Sequence, residues 1–110
     1  MVVRFWSART TQVRFPDYMK HFDLHVLPRL RAVDGFLEAR LLSQSDGVVV
    51  KFIVETLWGS LEAIDRFTGG DREVAVVADE ALHLLTSYDR HVLHYHLDLR
   101  EEHRASSGAA

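Results

Sequence analysis

"VVVKFIVETLW", Val48 to Trp58, is the stretch whose reading decides the architecture. No Gly or Pro interrupts it, and β-branched and aromatic residues dominate, which is the composition of a strand. Successive side chains of a strand point to opposite faces. One face then carries Val50, Phe52, Val54, Thr56 and Trp58, and the other Val49, Lys51, Ile53, Glu55 and Leu57. A strand covered on one side only is apolar on one side only; this one keeps large apolar groups on both. The opening run Val2 to Arg9 does the same, with Val3 and Phe5 opposed to Val2 and Trp6. Leaving such groups wet forfeits roughly 1.5–3 kcal/mol per large side chain. Both faces need a cover. Helices supply one, and the simplest second cover is another copy of the same sheet. A homodimer with sheets packed face to face is therefore expected, against the alternative of an apolar-rich outer surface.

Upstream of this strand, Phe36 to Ser43 forms a partner run, and the Asp46–Gly47 pair between them is a strong hairpin signal. Before that lies "FPDYMKHFDLHVLPRLRAV". Phe15, Tyr18, Phe22, Val26, Leu30 and Val33 recur at spacings of three or four, one stripe of a helix. Pro16 suits a first helical turn. Pro28 falls inside the pattern, removes a hydrogen bond to the Leu24 carbonyl and should kink or split the helix. Asp34–Gly35 ends it. Downstream, Ser60 is a fitting N-cap for a helix with Leu61, Ile64 and Phe67 on one side, stopped by Gly69–Gly70. "DREVAVV" reads equally as loop or short strand, "DEALHLLTSYD" as a short helix, and His91 to Leu99 as a closing strand. The order is β-α-β-β-α-β, the ferredoxin-like arrangement: an α+β fold whose antiparallel sheet has both helices on one face. One domain over 1–99 with a charged, then small and polar tail over 100–110 is expected.

The chain has 110 residues, a net charge of −3 and no cysteine. Disulfides, thiol catalysis and Cys-based metal sites are excluded. The basic stripe of a nucleic-acid binder is absent, no apolar run approaches the ~20 residues that span a bilayer, and the N-terminal stretch does not read as a signal peptide. Neither nucleic acid nor membrane is an expected partner, and the cytoplasm is the expected location.

The residues able to carry chemistry are histidines and aromatics. In "SYDRHVLHYHLD", His94 and His96 share one strand face, and His21 and His25 lie one helical turn apart. Both spacings suit a metal, but each lacks a third ligand nearby, and sites made only of His are uncommon; no metal is assigned. A histidine near neutrality is instead a candidate general base. His25, at the border of the helical stripe, and His94, on the closing strand, are the candidates. Trp6, Tyr18, Phe22, Trp58 and Tyr88 are candidates to wall an apolar ligand pocket, with plain core packing as the alternative for each.

Three segments taken together, "YMKHFDLHVLPRLRAVDGFLEARLL", "VKFIVETLWGSLEAIDRFTGGDREVAVV" and "YDRHVLHYHLD", resemble the antibiotic biosynthesis monooxygenase-like family over about Val2 to Asp98. The resemblance implies a dimeric α+β barrel of ferredoxin-like subunits. It also implies, for one branch, oxygenation of aromatic polyketides without metal or prosthetic group, the deprotonated substrate itself activating oxygen between sheet and helices. A second branch degrades haem with an Asn at the end of the first strand, a Trp on the second helix and a His soon after. Here those positions fall near Ser7 or Arg9 and near Phe67, and the nearest histidine, His83, is displaced. The resemblance thus favours a cofactor-independent monooxygenase-like protein for an aromatic or apolar small molecule. A non-catalytic ligand-binding or stress-associated dimer is the other reading.

Overall fold

A computed structural model describes residues 1–104. Strand β1 (Val2–Thr11) leads into helix α1 (Phe15–His21), a π-helical turn (Phe22–Val26) and helix α2 (Leu27–Arg31). Strands β2 (Phe36–Asp46) and β3 (Val49–Trp58) form the hairpin, followed by α3 (Leu61–Thr68), a one-turn α4 (Asp79–Leu82), and strands β4 (Ser87–Tyr88) and β5 (Leu93–His96). β3 lies between β2 and β1, while β4 and β5 both pair with the far edge of β1, every pairing antiparallel. This is the α+β, ferredoxin-like arrangement expected. The closing strand expected over His91 to Leu99 is shorter, Leu93–His96, and the stretch expected as a short helix, "DEALHLLTSYD", is helical only over Asp79–Leu82 and ends in the two-residue strand β4. Between β4 and β5, Ala75 and Val92 bond to the carbonyls of Arg90 and Glu73. The ambiguous "DREVAVV" is loop, tied to the sheet by one bridge between Val74 and His91.

Pro28 acts as its chemistry demands. The Leu27 N–H bonds to the carbonyl of Phe22, five residues back, and the helix widens into a π turn just before the proline. The widened turn accommodates the donor that Pro28 lacks, so one long amphipathic segment continues instead of breaking off. Ser60 caps α3 by accepting from the Ala63 N–H at 3.2 Å, and Gly69, at φ 75°, ends it.

The helices cover the face bearing Val2, Arg4, Trp6 and Ala8 of β1 and Val50, Phe52, Val54, Thr56 and Trp58 of β3. Trp58, Ile64 and Ala63 are fully buried at the centre of this core, with Phe52 and Leu30 beside them. The outer face carries Val3, Phe5, Ile53 and Leu57, opposed by register to Tyr95, Leu93 and Leu42 of neighbouring strands. Leu42, Leu93 and Tyr95 are exposed there in the single chain. An Arg40–Glu55 ion pair at 2.7 Å, with Glu38 and Arg100 alongside, occupies one end of that face. Of the tail expected over 100–110, residues 105–110 lie outside the described part.

Gly35 joins the first helical segment to β2 at φ 98°, and a Cβ there would meet the Ala63 Cβ at 2.6 Å. Gly47, in the hairpin, has φ 61° and open space around it. Gly35→Ala therefore suffers both backbone strain and a collision with α3, and Gly47→Ala backbone strain alone. Urea denaturation should show Gly35→Ala destabilised by about 2–4 kcal/mol and Gly47→Ala by about 1–2 kcal/mol; equal losses would show that α3 yields at Ala63.

Candidate functional site

The helical segment and the sheet do not close completely. Between them lies a cleft of about 110 Å³, with the loop before α4 as its third wall. On the sheet floor stand Arg4, Trp6, Val54 and Thr56, all on the helix-facing set of β1 and β3. Tyr18, His21, Phe22, His25 and Arg29 come from the helical segment, spaced three or four residues apart so that they share one side. Phe67 of α3, and Val76, Val77 and Glu80 of the loop and α4, complete it. The lining is mostly apolar, with charge confined to a few positions, the usual make-up of a small-molecule site.

The aromatic wall is continuous. Phe52 packs edge-on to Trp6 at 6.0 Å and against Tyr18 at 4.5 Å between centroids. Trp6 is held by its indole N–H, which donates to the Asp89 carbonyl at 2.7 Å. Burial pushes the Tyr18 phenol well above its ordinary pKa, so it is a neutral hydroxyl. His21 and His25 lie against each other across the turn, centroids 5.4 Å apart and ring planes tilted by 40°. The His21 pKa is lowered, first by burial and then by neighbouring His25, against an opposing pull from Glu80. His21 is a neutral imidazole at pH 7, and His25 is the exposed member of the pair.

At the floor, Arg4 is buried, and burial lowers its pKa to about 10, which leaves it charged. It donates to the carbonyl of Arg72 and, at 3.0 Å, to that of Val74. The same guanidinium meets His94 Nε2 at 3.0 Å. A guanidinium only donates, so Nε2 accepts and the imidazole proton sits on Nδ1. The His94 pKa is lowered by burial first, then by Arg4 and Arg72. Arg72 itself is gripped by Asp65 through two bonds of 2.9 Å. The chain Asp65–Arg72 and Arg72–Arg4–His94 ties α3, the loop, β1 and β5 together.

Of the candidate residues, the structure brings Trp6, Tyr18, Phe22 and His25 into one cleft. Trp58 is fully buried outside it, its indole N–H donating to Thr56 Oγ1 at 2.8 Å. Tyr88 stands on the far side of Trp6, centroids 6.3 Å apart, and lines a separate groove with Arg9 and Lys51. His94 reaches the cleft only through Arg4. Ser7 lines that separate groove, and His83 is exposed outside the cleft. Sequence reasoning missed Arg4, Arg29 and Phe67. A charged residue amid "VVRFW", on the apolar face of a strand, was the available signal for Arg4. Among the described residues no group of three or more metal-ligating side chains is assembled.

No family model and no curated protein matches the sequence; similarity emerges at the level of structure. A point mutant of MhuD, the heme-degrader of Mycobacterium tuberculosis, solved with two manganese protoporphyrin IX molecules per active site, is 25% identical. It superposes with a TM-score of 0.65 over 94% of this chain and 100% of its own. An antibiotic biosynthesis monooxygenase-type protein of Bacillus cereus is 12% identical, with a TM-score of 0.65 over 93% and 97% of the two chains. A monooxygenase of Streptomyces coelicolor in complex with nanaomycin D is 20% identical, with a TM-score of 0.59 over 96% and 92%. The chain has the fold of the antibiotic biosynthesis monooxygenase-like proteins, and among the described residues no helix is long and apolar enough to cross a membrane.

His21 and His94 are both held below their ordinary pKa. Their neutral forms are favoured by folding, so the unfolded chain takes up protons first as pH falls below about 6.5. Stability present above that pH should be lost progressively beneath it, seen as a falling thermal midpoint between pH 7.5 and 5.5. His94→Gln, whose amide oxygen still accepts from Arg4 but does not titrate, should flatten part of that fall; an unchanged profile would remove His94 as a source.

Proposed function

We propose that this chain is a monooxygenase-like protein that binds an aromatic or otherwise apolar small molecule between its sheet and its helical segment and oxidises it without a resident cofactor. The observation that carries this reading is the gathering of three aromatic side chains, Trp6, Tyr18 and Phe22, with His25 in the lining of one cleft. The shared fold with a monooxygenase solved in complex with nanaomycin D supports it. The ring of the substrate lies against Trp6 and Phe22. The Tyr18 hydroxyl, kept neutral by burial, donates to a substrate oxygen. His25 accepts the phenolic proton, and the resulting electron-rich anion reduces oxygen. In the balanced step a ring methylene becomes a carbonyl, one oxygen atom staying and the other leaving as water, with all four electrons drawn from the substrate. His94, its Nε2 engaged by Arg4, serves as a positioning residue for that guanidinium.

The shared fold with MhuD raises haem as the alternative substrate. The side chains in the cleft argue against it. The first strand presents Arg4 and Trp6 and the second long helix Phe67, with valines Val76 and Val77 on the loop beyond it. The Asn, Trp and His associated with haem degradation have no counterpart among them. A non-catalytic ligand-binding dimer is the second reading, supported by the preponderance of apolar lining.

We further propose that the working unit is a homodimer closed over the outer face of the sheet. Exposed Leu42, Leu93 and Tyr95, with Phe5 beneath Tyr95 in edge contact at 6.4 Å, form its apolar centre. Sedimentation at micromolar concentration should give a dimer, and Leu93→Glu should shift it toward monomer or aggregate; a folded monomeric wild-type chain would refute this. Incubation with hydroxylated anthracyclic phenols should consume oxygen, and His25→Ala should lower the rate about 10²-fold or more with little change in ligand affinity. Tight binding with no uptake across the panel would leave the non-catalytic reading.

A further inference from the structure

If the cleft is the ligand site, as proposed, its floor sets a selectivity that its aromatic walls do not. A guanidinium out of water is costly to leave without a counter-charge, and buried charges are ordinarily paired. Arg4 is 5% exposed, yet no carboxylate pairs with it among the described residues. Its partners are two backbone carbonyls and one imidazole, all neutral acceptors. Asp65, on the carboxylate side of the same cluster, is consumed by both bonds to Arg72. Three of the five N–H groups of Arg4 are used and two remain, in a side chain that forms part of the cleft lining.

The charge count points the same way. The lining contains the guanidinium groups of Arg4 and Arg29 against the single carboxylate of Glu80. Arg29 is exposed, stacked over the Phe67 ring at 5.6 Å, and solvent screens it. Arg4, out of solvent, is the cation whose field a ligand would feel. Holding the loop carbonyls explains why a donor stands at position 4. It does not explain a net charge there with no counter-ion.

We infer that the cleft selects a planar aromatic acid, its ring between Trp6 and Phe22 and its carboxylate received by the free N–H groups of Arg4. Arg4 is thus the specificity-determining residue of the site, and His94 positions it from behind. A neutral analogue of the same shape fills the walls but leaves the buried charge unmatched, and so binds less well.

The test uses 2-naphthoate and its neutral counterpart 2-naphthamide, titrated into the 110-residue chain and followed by calorimetry. The acid should bind at least about tenfold more tightly, the scale of one charge-assisted hydrogen-bonded contact. Arg4→Met should erase the difference, and Arg29→Gln should keep it. Because Arg4→Met removes the loop's anchor and can impair folding, the wild-type protein supplies a second readout. The Arg4 Nε–H resonance, assigned with Arg4→Lys, should shift on adding naphthoate and stay in place with naphthamide. Equal affinity for the two probes, a preference that survives in folded Arg4→Met or vanishes in Arg29→Gln, or an unmoved Arg4 resonance would each overturn the inference. Equal affinity would leave the cleft standing as an aromatic site. Failure of both probes to bind would take this inference down together with that reading.

Discussion

The antiparallel register between β1 and β3, running from Val2 opposite Trp58 to Thr11 opposite Val49, is the constraint on which the rest depends. Strand side chains alternate with a period of two, so a slip of one residue exchanges the faces completely. In the observed register Arg4, Trp6, Val54 and Thr56 all stand on the helix side and make the floor of one cleft. One residue out of register, β1 would turn Phe5 and Ser7 into the cleft, and the guanidinium would stand on the outer face.

What holds that register is packing on both sides of it. On the inner side Trp58, Phe52 and Ile64 are sealed, and the polar groups among them are satisfied locally, Trp58 by Thr56 and Thr10 by the Leu84 carbonyl. Among the described residues no buried side-chain polar atom is left without a partner. Arg4 extends the same logic to a loop. The stretch between α3 and α4 has little regular structure to absorb its carbonyls, and Arg4 takes up two of them. A residue that braces the loop thereby also lines the floor of the cleft. The outer side carries the opposite problem, apolar groups with no cover from the single chain.

The helical segment shows how a local irregularity serves the site. Pro28 obliges the backbone to give up one hydrogen bond, and the π turn at Phe22–Val26 absorbs the loss. His21, His25 and Arg29 consequently follow one another along the same wall of the cleft rather than drifting around the helix. The proline was visible in the sequence, and so was a kink or split. The form of the accommodation was not, because a break and a π turn both accommodate the same missing donor and differ only in what the sheet beneath can accept.

Element order as far as α3, the hairpin, the Ser60 cap and the two apolar faces of β3 were determined by the sequence alone, because alternation, capping and turn chemistry act between residues close along the chain. The short strand β4, in a stretch that reads as helix, was not. Trp6, Tyr18, Phe22 and His25 were also named from sequence as candidates, since aromatic side chains on strand and helix faces are few. Which of the candidates meet was decided only by tertiary structure. Trp58 went to the core and Tyr88 to another groove, while Arg4 entered the floor of the cleft. Pairing between β1 and β5, separated by some ninety positions in the chain, placed His94 behind Arg4. Such juxtapositions depend on long-range register and on helix placement, which no local spacing encodes.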